Sequence, residues 1–243
     1  VIHRGGISMS GDGHIVPDYP TLLKKGFRRI INEAREKMKD GSLSKEQEYF
    51  YKSVIISLEG VLDFFKRYSK LADEEAKKCN DLIRKKELLE IADMASDMME
   101  QGARNFYEAV EVSYMVHMLQ MIESNGHSFC YGRFDQYMYP YYKNDSVSGA
   151  ITREFAQELM DCIWVKLNDL NKARDAASAE GFAGYSLFQN LIAGGQNSEG
   201  IDATNDLSFM CIEACMHVML PQPSFSVRVW NGSPHEFLIK AAE

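Results

Sequence analysis

The chain has 243 residues, 45% of them apolar and 11% aromatic, with a formal net charge of -8. This allows a substantial core in one large domain or two small ones, and the acidic balance, without any Lys and Arg cluster interleaved with aromatics, excludes a nucleic-acid footprint. Five cysteines spread through apolar segments do not make a disulfide framework, and no secretory signal or bilayer-spanning apolar run is read, so a reducing cytoplasm and no membrane are expected.

Val1 to Pro20 is Gly-rich and irregular, a loop or short strand. Gly11-Asp-Gly-His14 contains a G-x-G but lacks the third glycine and preceding strand of a dinucleotide fingerprint. Close backbone approach at a site lining is the better use for these glycines. Thr21 to about Lys39 has helical periodicity and ends at Asp40-Gly41. Ser44 with Gln47 forms a capping box for a helix running through the Lys70 region, and Lys85 to Met99 keeps the same period. Asn105 with Glu108 caps a helix through Met115 to Ile122, which Asn125-Gly126 breaks.

Glu123 to Tyr142 follows, with a His-Ser pair, Arg133 two residues before Asp135, and five tyrosines. Burying so many polar groups requires a partner for each, which points to a lined cavity or a specific interface. Beyond a polar turn, Thr152 caps a helix whose Phe155, Leu159, Ile163 and Leu167 face inward beside Trp164. Gly181 to Gly195 is Gly-rich and aromatic, Gln196 to Gly200 is a loop, and Thr204 to Val218 is helical. Ser224 to Trp230 alternates at period two and is the clearest strand. Ser233, Pro234 and Glu236 then begin a helix with Ser233 as N-cap. From its abrupt end at Glu243, and a start at Val1, the sequence is expected to be a piece of a longer polypeptide. Helices dominate an α/β pattern, with short Gly-flanked strand segments between them.

No Ser occupies a G-x-S-x-G elbow, and the six histidines lack zincin spacing. Cys211 and Cys215 are one helical turn apart, but with no second pair they are read as small buried hydrophobes, not a metal clip. His127 and Ser128 differ. Adjacent residues at a helix end can both reach one small ligand, and Asp12, His14, Tyr185 and the polar face around Arg228 can join them from separate loops.

Several of these segments resemble the glycyl radical enzymes related to pyruvate formate-lyase. The resemblance is carried by Gly13-His-Ile-Val-Pro-Asp-Tyr19, Glu123-Ser-Asn-Gly-His-Ser128, Tyr131-Gly-Arg-Phe-Asp-Gln-Tyr137, Gln189-Asn-Leu-Ile-Ala-Gly-Gly-Gln196 and Gln222-Pro-Ser-Phe-Ser-Val-Arg228, and runs over nearly the whole chain. Within the family the chain looks most like the glycerol and diol dehydratase branch. The resemblance implies a mostly helical, internal part of one ten-stranded barrel domain surrounded by helices, with 1–243 forming no separate domains. It implies radical dehydration of a small diol, in an anaerobic, homodimeric enzyme. It further implies that no cofactor is bound and that an S-adenosylmethionine-dependent activating enzyme places the radical on a glycine, which oxidises a cysteine to a thiyl. Both residues would lie downstream of Glu243, and Cys211-Ile-Glu213 is a decoy for the cysteine motif.

By the same resemblance, His127 and Ser128 hold substrate hydroxyls, Tyr185 lines the pocket, and His14 helps protonate the departing hydroxyl, with Asp12 as its rival. Imidazole suits that role near neutral pH. The Tyr131-Gly-Arg133 continuation also suits relatives that cleave C–S or C–N bonds, and Arg4 could bind a sulfonate or carboxylate, so a lyase acting on a hydroxylated sulfonate or a choline-like substrate is the runner-up. A helical scaffold without chemistry is the third reading. Arg133, Asp135 and the tyrosines beyond are expected to lock the wall to its neighbours. Nothing in the residues reports microcompartment targeting.

Overall fold

The computed structural model describes residues 13–172, 174–181 and 187–243, the side chains of 98, 99 and 178 apart. These divide into two compact units, one of residues 20–104 and one that joins the segment ending at Tyr19 to the chain from Asn105 onward.

In the first unit, α1 (Tyr19–Lys37) is broken at Gly26, where φ is 67°. A Cβ there would sit 2.4 Å from the Gly102 nitrogen, so glycine permits both the left-handed turn and the close approach. α2 (Lys45–Lys78) starts at the expected capping box: Gln47 N donates to Ser44 Oγ at 3.2 Å and Ser44 N to Gln47 Oε1 at 2.9 Å. It packs along α3 (Leu82–Gln101), with Leu62, Phe65, Ala72 and Ala76 of α2 and Ala92, Met94 and Ala95 of α3 buried. The many ion pairs on these helices are exposed, and pairs of that kind contribute at most about 1 kcal/mol each.

The second unit is built on parallel extended segments. Ile15 bridges Phe129, Gly132 bridges Leu191, and β1 (Asn190–Gly194) pairs in parallel with β2 (Ser224–Arg228), with Asn190 opposite Ser224. Parallel neighbours need long crossovers, and helices supply them. α5 (Phe134–Ser148), α6 (Arg153–Asp169) and α7 (Ala176–Gly181) lie between Gly132 and β1, and α8 (Asp206–Val218) between β1 and β2. α4 (Phe106–Glu123), capped by Asn105 as expected, buries residues on almost every side, and its first N–H donates to Asp145 at the far end of α5. The core runs through Phe106, Tyr131, Phe134, Met160, Trp164, Leu191 and Met210. Among the described residues, no helix is long and apolar enough to cross a membrane.

Three local expectations need correction. The stretch after Arg133, for which the sequence reading gives no element, is a helix, α5, with Pro140 inside it, and it continues to Ser148 through the polar turn expected after Tyr142. Its buried Phe134, Met138 and Tyr142 are four residues apart, a stripe hidden in the sequence by the tyrosines and proline around it. Phe155 is exposed, at 45%, and stacks against Tyr107 instead of joining the core. Ser233 does not cap α9 (His235–Ala242): its hydroxyl accepts from Trp230 N at 2.9 Å, and Pro234 takes the cap position without a side-chain bond.

Candidate functional site

Two segments meet edge to edge at the rim of the parallel strips. His14 N donates to Ser128 O at 2.9 Å and Cys130 N to Ile15 O at 2.9 Å. Gly13 approaches so closely that a Cβ on it would lie 2.2 Å from His127 Cδ2 and 2.5 Å from the His127 carbonyl oxygen. The glycine therefore serves as the sequence suggested, as a surface for close approach. α4 ends just before this edge. Asn125 and Gly126, at φ 52° and 67°, turn the chain sharply, and Gly126 N closes the turn onto Met121 O at 2.7 Å. His14 and Ser128 also take left-handed backbone, at φ 59° and 53°, where non-glycine residues are uncommon and cluster at functional positions.

This backbone sets the His14 ring 5.1 Å from the His127 ring at an interplanar angle of 89°, edge to face. His14 is exposed, His127 half-buried and Ser128 fully buried. Ser128 is held from the other side by Leu187, whose carbonyl accepts from its backbone N at 3.0 Å and faces its hydroxyl at 3.4 Å. Burial first, then His14 and the Lys172 ammonium, lowers the His127 pKa below the ordinary imidazole value. A neutral imidazole both donates and accepts, which suits it to a hydroxyl ligand. His14, His127 and Ser128 are thus brought together; Arg4, Asp12 and Tyr185 lie outside the described residues. Arg228 ends β2 with its side chain against Gly195.

The residues just downstream have a different task. Arg133 donates to Gln196 O at 2.6 Å and Gly194 O at 2.8 Å. Asp135, fully buried, accepts from Gly194 N at 2.7 Å and Ser208 Oγ at 2.5 Å, fastening α5 to the end of β1 and the start of α8. Desolvation raises its carboxyl above the usual range in spite of those donors and of nearby Arg133. Tyr137 donates to Tyr131 O at 3.0 Å. These groups tie their segment to its neighbours, as the sequence reading expected of them. Cys211 is wholly buried in α8, its thiol pushed well up by burial, and Cys215 Sγ accepts from Trp164 Nε1 at 3.1 Å.

One polar residue escaped the sequence reading. His117, in the middle of apolar α4, bonds Tyr19 Oη through Nδ1 at 2.9 Å and Gln189 Oε1 through Nε2 at 2.8 Å, and stacks on Tyr131 with ring centroids 4.6 Å apart. Its partners are 98 and 72 positions away in sequence, so no local pattern announces it.

Comparison with known proteins follows the same lines as the geometry. The family described as "Pyruvate formate lyase-like" matches residues 1–243. Among solved structures, the chain is 53% identical, at a TM-score of 0.88, to the B12-independent glycerol dehydratase from Clostridium butyricum, solved with glycerol bound. It is 51% identical, at a TM-score of 0.89, to a structure from Roseburia inulinivorans described for 1,2-propanediol dehydration. Each match covers 96% of this chain and 30% of the other. The (2S)-3-sulfopropanediol dehydratase of Klebsiella oxytoca is 35% identical over 96% of this chain and 29% of its own length. The chain therefore spans about a third of these relatives. Its helix-rich architecture with a small parallel sheet is part of their fold, and the chain belongs to the pyruvate formate-lyase-like family of glycyl radical enzymes.

Proposed function

We propose that the full-length protein containing this chain is a glycyl radical lyase that dehydrates a small vicinal diol, such as glycerol or propane-1,2-diol, by cleaving a C–O bond. The observation that carries the reading is the edge-to-face apposition of His14 and His127 beside Ser128, on segments joined by backbone hydrogen bonds. The identity to the two diol-related structures supports it. In this reading the radical glycine and thiyl cysteine belong to the part of the protein outside the chain and supply hydrogen abstraction, while this chain supplies the wall that holds the substrate. His127, kept neutral at neutral pH by its lowered pKa, orients a substrate hydroxyl. His14, on the exposed side of the pair, delivers the proton that lets the other hydroxyl depart as water. Ser128 accepts from a hydroxyl with its remaining lone pairs, Tyr185 lines the pocket, and Asp12 is the alternative to His14. The whole chain is taken as internal to one barrel domain of a cytoplasmic homodimer, served by a radical S-adenosylmethionine activating enzyme.

A second reading, a lyase acting on a hydroxylated sulfonate, is favoured by the Lys172 charge felt at His127, by Arg4, and by the likeness to the sulfopropanediol enzyme. Anaerobic activation of the full-length protein, detection of the glycyl radical by EPR, and turnover assays with glycerol, propane-1,2-diol and hydroxylated sulfonates separate the two. Turnover of the sulfonates alone would replace the first reading by the second. His127→Ala should lower kcat by about 10²-fold or more while leaving the radical signal intact. Unchanged turnover would remove His127 from the site.

A further inference from the structure

We infer that His117 is the positioning residue of the His14, His127 and Ser128 edge, an inference that rests on that edge being the substrate wall. His117 comes from α4, and its described hydrogen bonds and ring contact go to Tyr19, Gln189 and Tyr131. It thereby grips each chain segment that carries or braces the edge. Tyr19, five residues beyond His14, meets its Nδ1 at 2.9 Å. Tyr131, three residues beyond Ser128, stacks on its ring, and Tyr19 stacks on Tyr131 in turn, with centroids 5.1 Å apart and planes 3° from parallel. Gln189, two residues beyond the Leu187 that holds Ser128, meets its Nε2 at 2.8 Å. The Gln189 backbone N also donates to Gln222 Oε1 at 3.2 Å, extending the grip to the approach of β2.

The tautomer follows from the partners. Gln189 Nε2 donates to Leu167 O at 2.8 Å, which turns its Oε1 toward His117; the Nε2 of His117 therefore carries the proton, and its Nδ1 accepts from the Tyr19 hydroxyl. Every polar atom of the ring is occupied, and all three groups are fully buried. An imidazole is the side chain that can donate on one edge, accept on the other and stack with its face. Leucine, the expected occupant of such a helix face, does none of these. The clamp fixes the mutual register of the His14 segment, the Ser128 segment and the Leu187 segment. A displacement of about 1 Å at such a distance from the chemistry is enough to cost roughly 10²-fold in rate.

The test uses the full-length enzyme, activated anaerobically, as wild type, His117→Phe and His117→Gln. Phenylalanine keeps the stacking and loses both hydrogen bonds; glutamine retains a donor toward Gln189. At equal radical yield by EPR, His117→Phe should lose at least about tenfold in kcat/KM for glycerol, with faster amide hydrogen exchange at His14 and Ser128, and His117→Gln should regain part of both. A His117→Phe enzyme with wild-type kcat/KM and exchange overturns the inference, as does a loss wholly explained by less folded or less activated protein. Should His117→Phe fail to fold, His117→Gln decides: reduced kcat/KM with faster exchange at His14 supports the clamp, and wild-type values refute it. Should the wild type dehydrate no diol, the proposed reaction fails by itself. The exchange comparison then still answers for the clamp, since faster exchange at His14 and Ser128 in the variants supports it and unaltered exchange refutes it.

Discussion

Glu123 to Ser128 and Arg133 to Tyr142 belong to one continuous stretch of unusually polar, aromatic sequence, yet their polar groups are used in opposite ways. Downstream, Arg133 reaches two carbonyls, Asp135 accepts from two buried donors and Tyr137 bonds a main-chain oxygen. These groups are committed to neighbouring elements. Upstream, His127 is half-buried with its ring edge against an exposed His14, on backbone held in the left-handed region at Asn125, Gly126 and Ser128. The contrast gives a criterion for dividing a polar segment into structure and candidate site: committed side chains, the buried Ser128 hydroxyl among them, stiffen the fold, while side chains left partly exposed on a strained, well-anchored backbone, as His14 and His127 are, can meet a ligand.

If this division is right, damage to the two halves should differ in kind. Asp135→Ala leaves Gly194 N and Ser208 Oγ buried without their acceptor, and should cost about 4 kcal/mol of unfolding free energy in denaturant titration. Asp135→Asn keeps an acceptor oxygen and should cost much less, about 1 kcal/mol. The raised carboxyl of Asp135 binds its proton more tightly in the folded state than in the unfolded one, so its contribution to stability falls as pH rises from the ordinary carboxylate range through the folded value. The amide that replaces it in Asp135→Asn cannot titrate, and the slope of stability against pH over that window should flatten in this variant; an unchanged slope would show that Asp135 is ionised at no cost.

His117, on the helix that leads into the upstream half, comes next. Burial lowers its pKa from 6.5 to about 4 although the Gln189 contact acts the other way. The unfolded chain then binds a proton that the folded chain refuses, so stability is lost as pH falls from about 6.5 toward 4, by about 3 kcal/mol in total. Comparing acid titrations of wild type and His117→Gln isolates this part, which should vanish in the variant. The smallest expected effect lies in the open half. Gly13→Ala drives a Cβ into the His127 ring and carbonyl, and should cost about 2 kcal/mol. It should also shift the His127 imidazole resonances in NMR while leaving those of His117 in place; a His127 signal that does not move would mean that the two segments are not in register as described.

Local chemistry was readable from the sequence wherever it was local. Ser44 with Gln47, Asn105 with Glu108, and Thr152 with Phe155 N are bonds between residues three apart, and each was visible as a cap. α5 was not, because its inward face includes the charged Asp135 and its helix contains Pro140, so neither hydropathy nor propensity marks it. β1 was hidden likewise, five residues inside a Gly-rich run, made a strand only by its pairing with β2. The His127-Ser128 pair stood out by its place at a helix end and His14 by its Gly-rich loop, and the motif resemblance then gave them roles; periodicity marked neither. Their apposition depends on a parallel bridge between residues more than a hundred positions apart, which no window of sequence contains. The same distance concealed His117, whose partners at Tyr19 and Gln189 exist only once the segments are side by side.

The glutamine at the end of that buried chain has one more consequence. A carboxylate in place of Gln189 would let a proton travel from Tyr19 through the imidazole and be received at the far end. An amide neither takes up nor gives away a proton near neutral pH, and its nitrogen is already bound to Leu167 O. The row of hydrogen bonds beneath the wall is therefore an insulator. The Tyr19, His117 and Gln189 row thus holds its segments in place without passing a proton from one end to the other.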